Sequence, residues 1–288
     1  MHVDLLAGTL YQAGTVPPMK QHPNVLVFDS GLGGLTVFRE AVKARPDARF
    51  IYAADDAAFP YGRFDEASLV TRILTVMERL ISRFEPDLVV VACNTASTIA
   101  LPALRARFAV PFVGTVPAVK PAAAKSQSRL ISVLGTPGTV KREYTAALIR
   151  EFAADCDVTL VGAPRLAALA EAALRRDAVS DADFAAEIAP CFVEKDGRWT
   201  DVVTLSCTHY PLVRDRLERL APWPVTWIDP APAIARRMAS LIAAAVTDRA
   251  GPMPLAVFTG GQMAETGLGP VMRDFGLTQI DIDPLPLH

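Results

Sequence analysis

Two segments of this chain repeat one another, and each carries a cysteine to the end of a strand. The first reads Asp87-Leu88-Val89-Val90-Val91-Ala92-Cys93-Asn94-Thr95, the second Asp201-Val202-Val203-Thr204-Leu205-Ser206-Cys207-Thr208-His209. In each, an aspartate precedes the cysteine by six residues, and the β-branched apolar run between them is the pattern of a buried strand. Further on, Val110-Pro111-Phe112-Val113-Gly114 stands to Cys93 nearly as Trp223-Pro224-Val225-Thr226-Trp227 stands to Cys207. Self-similarity of this kind points to duplicated α/β halves. Halves that face each other bring two thiols to one cleft, where they can move a proton from one face of a carbon to the other.

The 288 residues suit one large domain or two lobes, and 51% apolar content is ample for a core. With 29 basic and 31 acidic residues, the net charge of −2 gives no electrostatic footprint for nucleic acid or an anionic membrane. No apolar run approaches the roughly 20 residues that span a bilayer. Residues 1–23 lack the basic start and continuous apolar core of a signal peptide. Met19 lies just before the first strand, so residues 1–18 are expected to be a flexible extension or a misassigned start. The four cysteines, Cys93, Cys156, Cys191 and Cys207, fit reduced thiols in a cytoplasmic enzyme better than a disulfide scaffold. Cys207 and His209 form a C-x-H pair, but no second close pair completes a zinc site.

Strand-like runs at Val25–Phe28, Phe50–Ala53, Leu88–Ala92, Phe112–Thr115, Leu130–Leu134, Val158–Val161, Val202–Leu205, Val225–Ile228 and Leu255–Phe258 alternate with helical stretches such as Glu66–Phe84, Val140–Ala153 and Ala231–Ala245. Alternation of this kind predicts an α/β fold of mostly parallel sheets flanked by helices. Ligands in such folds bind beyond the carboxyl ends of strands, where Asp29, Cys93, Gly135 and Cys207 fall. Proline-bearing crossings at Gly114–Pro117 and Ile228–Pro230 divide the chain into a flexible extension (1–23), a first lobe (24–116 plus 229–288) and a second lobe (117–228), with the site in the cleft between the lobes.

Asp29-Ser30-Gly31-Leu32-Gly33-Gly34 is a glycine-rich turn between strand and helix, able to offer amides to a carboxylate or phosphate. The glycines are out of step with a dinucleotide fingerprint, and the plain alternative is a tight turn with Asp29 as a helix cap. Pro60-Tyr61-Gly62 makes a rigid loop that can present amides and a phenol. Cys93 stands at a helix start, a position that lowers thiol pKa, and Asn94 and Thr95 beside it can hold a carboxylate. A carboxylate beside Cys93 acts the opposite way, by like-charge repulsion. His209 can stabilise a Cys207 thiolate or relay a proton. A nucleophilic Cys-His pair is the rival reading, but it leaves Cys93 without a purpose. Cys156 and Cys191 read as structural, and Glu171, on an alanine-rich helix, reads as a solvated charge.

Asp-Ser-Gly-x-Gly-Gly at 29–34, Pro-Tyr-Gly at 60–62, Cys-Asn-Thr-Ala-Ser at 93–97 and Cys-Thr-His-Tyr-Pro at 207–211 together resemble the glutamate racemases, over about residues 24–285. The resemblance implies two pseudo-symmetric lobes and cofactor-independent interconversion of L- and D-glutamate, supplying D-glutamate for peptidoglycan. An aspartate or hydantoin racemase is the alternative within the same chemistry. It implies Cys93 and Cys207 as the two acid/base groups, assisted by Asp29, His209 and, through its spacing from Pro164, Glu171. It further implies substrate contacts at Asp29, Ser30, Tyr61, Gly62, Asn94, Thr95, Thr208 and His209. Glutamate is the implied partner; no metal or cofactor, nucleic acid or membrane is implied, and a homodimer is compatible. Two departures stand out: Ser206 where the family has glycine before the cysteine, and Asp55-Asp56-Ala57-Ala58 where it commonly has Asp-Thr-Ala-Arg.

Overall fold

The computed structural model describes residues 22–242, 250–260 and 268–285. Two parallel sheets form the frame. Strands β1 (Asn24–Asp29), β2 (Arg49–Ala54), β3 (Leu88–Val91), β4 (Phe112–Gly114), β11 (Leu255–Phe258) and β12 (Gln279–Ile282) make the first, in the order β12-β11-β2-β1-β3-β4. Strands β5 (Leu130–Gly135), β6 (Asp157–Gly162), β9 (Val202–Ser206) and β10 (Thr226–Ile228) make the second, in the order β10-β9-β5-β6. A small antiparallel hairpin, β7 (Glu194–Lys195) with β8 (Arg198–Trp199), lies apart.

The duplication read from the sequence is a duplication of topology. The run β2-β1-β3-β4 of the first sheet has the same chain order as β6-β5-β9-β10 of the second. Phe28 pairs with Val91 across β1 and β3, and Gly135 with Ser206 across β5 and β9. The residues just beyond those pairs are therefore equivalent: Ser30 flanks Cys93 as Thr136 flanks Cys207. β11 and β12 extend only the first sheet.

Helices cover both faces of each sheet, as parallel strands buried on both sides require. On one face of the first sheet lie α1 (Leu35–Ala44), α10 (Ala231–Leu241) and α11 (Gly269–Asp274), with Phe38, Ile234, Met238 and Met272 packed on Val25, Val27 and Val90. On the other face lie α2 (Glu66–Phe84) and α3 (Asn94–Arg107). The second sheet carries α4 (Val119–Lys125) and α6 (Glu143–Phe152) on one side. On its other side are α7 (Leu166–Leu174), α8 (Asp181–Ile188) and α9 (Arg214–Leu220). The chain passes between sheets after β4 and again after β10, and those two crossings support the lobe division we propose, 24–116 plus 229–288 against 117–228.

Some elements differ from expectation. The helix expected to start at Val140 starts at Glu143, because Val140 ends a separate short turn, α5 (Pro137–Val140), which Thr136 caps by accepting the Thr139 amide. α10 ends at Leu241, and the expected end at Ala245 lies outside the described residues, as do residues 1–21 of the expected extension. Among the described residues no helix is long and apolar enough to cross a membrane.

Candidate active site

Cys93 and Cys207 line one cavity between the two sheets. Each follows the end of an inner strand, where a parallel sheet delivers side chains to the rim of the fold. Cys93 is the N-cap of α3, with its sulfur accepting the Ala96 amide at 3.5 Å and lying 3.7 Å from Ser30 Oγ. Burial pushes the Cys93 thiol far up from its ordinary value, and the charge of Asp29 adds to the rise. The lowering expected from the helix start is overridden, because a single amide contact does not offset the loss of water.

Asp29 ends β1 and is fully buried. Its Oδ2 accepts the Gly34 amide at 2.8 Å, and Thr208 Oγ1 donates to its Oδ1 at 3.3 Å. Burial raises the carboxyl, opposed by the charge of His209 and by backbone amides. Asp29 thus reaches from the first sheet to the loop that bears the second cysteine.

That loop places His209 Nδ1 3.8 Å from Cys207 Sγ. On its other side His209 Nε2 donates to Glu171 Oε2 at 2.7 Å. Glu171 is fully buried on α7, with its second oxygen 3.7 Å from Arg175. The reading of Glu171 as a solvated charge is corrected: the side chain faces the cleft because its partner is a buried imidazole, 38 residues away in the chain. Burial alone would lower the His209 pKa; the hydrogen bonds to Cys207 and Glu171 outweigh it and hold the imidazole well above its ordinary value. The Phe59 ring packs over the imidazole at 5.2 Å.

The glycine-rich turn also has a steric use, at the meeting of the two halves. A Cβ on Gly33 would lie 2.5 Å from both His209 Nδ1 and Thr208 Oγ1, and one on Gly31 would lie 2.9 Å from Glu171 Oε2. The turn is bare so that the two halves can meet.

Ser30, Tyr61, Gly62, Asn94, Thr95, Thr208 and His209 all line the cavity. The Tyr61 phenol, expected to be offered to a ligand, instead donates to Asp55 Oδ2 at 2.7 Å. Asn94 is 2% exposed, and among the described residues neither end of its amide has a hydrogen-bond partner. A buried amide left unpaired costs free energy unless something fills its needs, and the Asn94 amide can both donate to and accept from a polar group placed in the cavity. Phe59, Pro60, Thr136 and Ala167 complete the lining and were not foreseen. Thr136 was within reach, since extending the duplication upstream sets Gly135-Thr136 against Asp29-Ser30. Cys156 and Cys191 lie away from this cavity. Among the described residues no cluster of three or more His, Cys, Asp or Glu can hold a metal ion.

A sequence model of the Asp/Glu/hydantoin racemase family matches residues 30–238. The glutamate racemase of Brucella canis is 52% identical over 274 residues, covering 94% of this chain and 98% of that protein. The glutamate racemase of Mesorhizobium japonicum is 54% identical over 258 residues, covering 88% and 97%. Among solved structures, Escherichia coli glutamate racemase in complex with L-glutamate and the activator UDP-MurNAc-Ala superposes with a TM-score of 0.83 at 39% identity, covering 91% of this chain and 98% of that one. The RacE1 isoform from Bacillus anthracis superposes with a TM-score of 0.78 at 27% identity, covering 93% and 98%. With matched sequence, matched fold and two thiols facing one cavity, the chain belongs to the Asp/Glu/hydantoin racemase family, as one of its glutamate racemases.

Proposed function

We propose that this enzyme racemises glutamate by a two-base mechanism in which Cys93 and Cys207 stand on opposite faces of the α-carbon. The observation that carries the reading is the placement of both thiols, and no other cysteine, on one cavity. One sulfur, as thiolate, takes the α-hydrogen as a proton. The electron pair left on carbon is held by hydrogen-bond donors in a site sheltered from water. The other sulfur, as thiol, then delivers its proton to the opposite face. The sulfurs end with their protonation states exchanged, and proton exchange with solvent resets them.

The surroundings of the two sulfurs are unequal, which favours one starting state. Burial and the Asp29 charge favour the protonated form of Cys93. A charged His209 imidazolium, backed by Glu171, sits beside Cys207 and pairs with negative charge on that sulfur. In this reading Cys207 begins as base and Cys93 as acid in one direction, with the roles reversed in the other. Asn94, Thr95, Ser30 and Thr208 hold the substrate carboxylates, helped by Gly62 and the Tyr61 wall. The D-glutamate formed would serve peptidoglycan synthesis in the cytoplasm.

Chiral chromatography of L-glutamate incubated with the purified protein tests this reading. We expect D-glutamate to accumulate to equality, and Cys93→Ala and Cys207→Ala each to lower the rate about a thousandfold. Because the enantiomers have equal free energy in water, each loss in kcat/KM must be the same from either direction. A wild-type protein inert toward both enantiomers, or either variant at near wild-type activity, would refute it.

A further inference from the structure

Asp55 follows β2 and is fully buried, yet it does not line the cavity. Its amide donates to the Asp29 carbonyl at 2.9 Å. Its carboxylate is saturated: Oδ1 accepts Thr259 Oγ1 at 2.6 Å and Arg72 Nη2 at 2.6 Å, and Oδ2 accepts the Tyr61 phenol at 2.7 Å and Arg72 Nε at 3.0 Å. Arg72 comes from α2 and also donates to the Leu285 carbonyl at 2.5 Å. A buried ion pair is a poor device for net stability, since losing water offsets most of the attraction. What a forked Arg–carboxylate pair supplies is fixed geometry, and the group fixed here is Tyr61. The Tyr61 ring lines the cavity and shares an apolar cluster with Cys93 and Ala96.

We propose that Arg72 is a positioning residue for racemisation. Acting through Asp55, it holds Tyr61 against the flank of Cys93 and so sets the distance from that sulfur to the α-carbon. Burial and the Asp55 charge keep the Tyr61 proton in place, which suits a fixed donor. The inference rests on the two-cysteine reading above.

A double-mutant cycle tests it. Arg72→Met is expected to lower kcat/KM about tenfold to a hundredfold through misplacement alone, and Tyr61→Phe to produce a smaller loss. Tyr61→Phe added to Arg72→Met is expected to change nothing further, whereas losses that multiply would overturn the proposal. Arg72→Lys, with charge but no fork, is expected to recover activity only in part; full recovery would show that charge, not geometry, matters. Thr259→Val keeps the ion pair and removes one bond to Asp55, so it carries the test if Arg72→Met does not fold. It is expected to lower kcat/KM with its melting temperature near wild type, and unchanged kinetics would count against the bracket. A second readout is independent of turnover: iodoacetamide labelling of Cys93, followed by peptide mass, is expected to speed up in Arg72→Met and Thr259→Val, while Cys156 labels as in wild type. Wild-type protein inert on glutamate, with the labelling contrast intact, would refute the function and not the bracket. Active wild type with variants unchanged in both readouts would refute the bracket alone.

Discussion

Glu171 Oε2 accepts a hydrogen bond from His209 Nε2 at 2.7 Å, with both side chains buried. Burial alone would strip the proton from this imidazole; Cys207, whose Sγ lies 3.8 Å from the other ring nitrogen, and then the Glu171 carboxylate favour keeping it. Protonation of the imidazole is thus favoured beside Cys207, while the Asp29 carboxyl sits near Cys93.

If charged His209 supports Cys207, activity falls as pH rises through the raised His209 pKa. Glu171→Gln removes one cause of that rise, so the alkaline limb of the kcat profile should move to lower pH, with kcat at its optimum reduced about tenfold to a hundredfold. Rates measured from pH 6 to 10 check this. A limb at the wild-type position would mean that His209 does not carry the alkaline ionisation. Stability follows the same sign. A raised folded pKa contributes stability that is full below the unfolded value of 6.5 and lost as pH rises through the folded value, so the melting temperature of Glu171→Gln should decline less over that window.

Asp29 follows the same sign. Its folded pKa is raised above 3.8 by burial, so the stability linked to its proton is present below that value and lost as pH rises through the folded one. Once pH exceeds the unfolded value, a carboxyl whose folded pKa is raised burdens the fold. Asp29→Asn should melt about 2 °C or more above wild type at pH 8, with the gain vanishing near pH 3.5, while kcat falls about a hundredfold. A variant less stable than wild type at pH 8 would show that its hydrogen bonds to Gly34 and Thr208 outweigh desolvation.

Gly33→Ala should separate folding from assembly of the site. The added Cβ meets His209 and Thr208 at 2.5 Å, so the loop from the second sheet must retreat. We expect kcat/KM to drop about a hundredfold with circular dichroism unchanged. Gly138→Ala, whose Cβ would find its nearest neighbour at 3.8 Å, serves as the control and should keep wild-type rates. Equal activity in both variants would remove the role assigned to the bare turn.

The parts of this molecule that were legible in the sequence are those set by local pattern. The β-branched runs before Cys93 and Cys207 became β3 and β9, and the glycine and proline motifs marked the loops of the site. β12 was missed because Gln279–Ile282 is a four-residue edge strand, mostly exposed, with no continuous apolar run. The β7–β8 hairpin escaped because its strands are two residues each, around the left-handed Asp196 and Gly197. Glu171 and Arg72 could not be placed by local reading. Each is one charge on a helix, and what buries it is a partner brought near only by the fold, His209 for the first and Asp55 for the second. Cys93 shows the same limit, since its helix-start position was legible and the burial that reverses its pKa shift was not.

The most direct test of opposed cysteines is where solvent hydrogen appears. Protiated L-glutamate is given to the enzyme in heavy water, and both enantiomers are separated and weighed by mass spectrometry at less than about a tenth of conversion. The donating sulfur has exchanged with solvent before substrate binds, whereas the abstracting sulfur lies on the other face. We therefore expect early D-glutamate to carry deuterium at the α-carbon, while the remaining L-glutamate stays largely protiated. Substantial protium in the early D-glutamate would mean that one base carries the hydrogen across, and would contradict a mechanism with Cys93 and Cys207 on opposite faces.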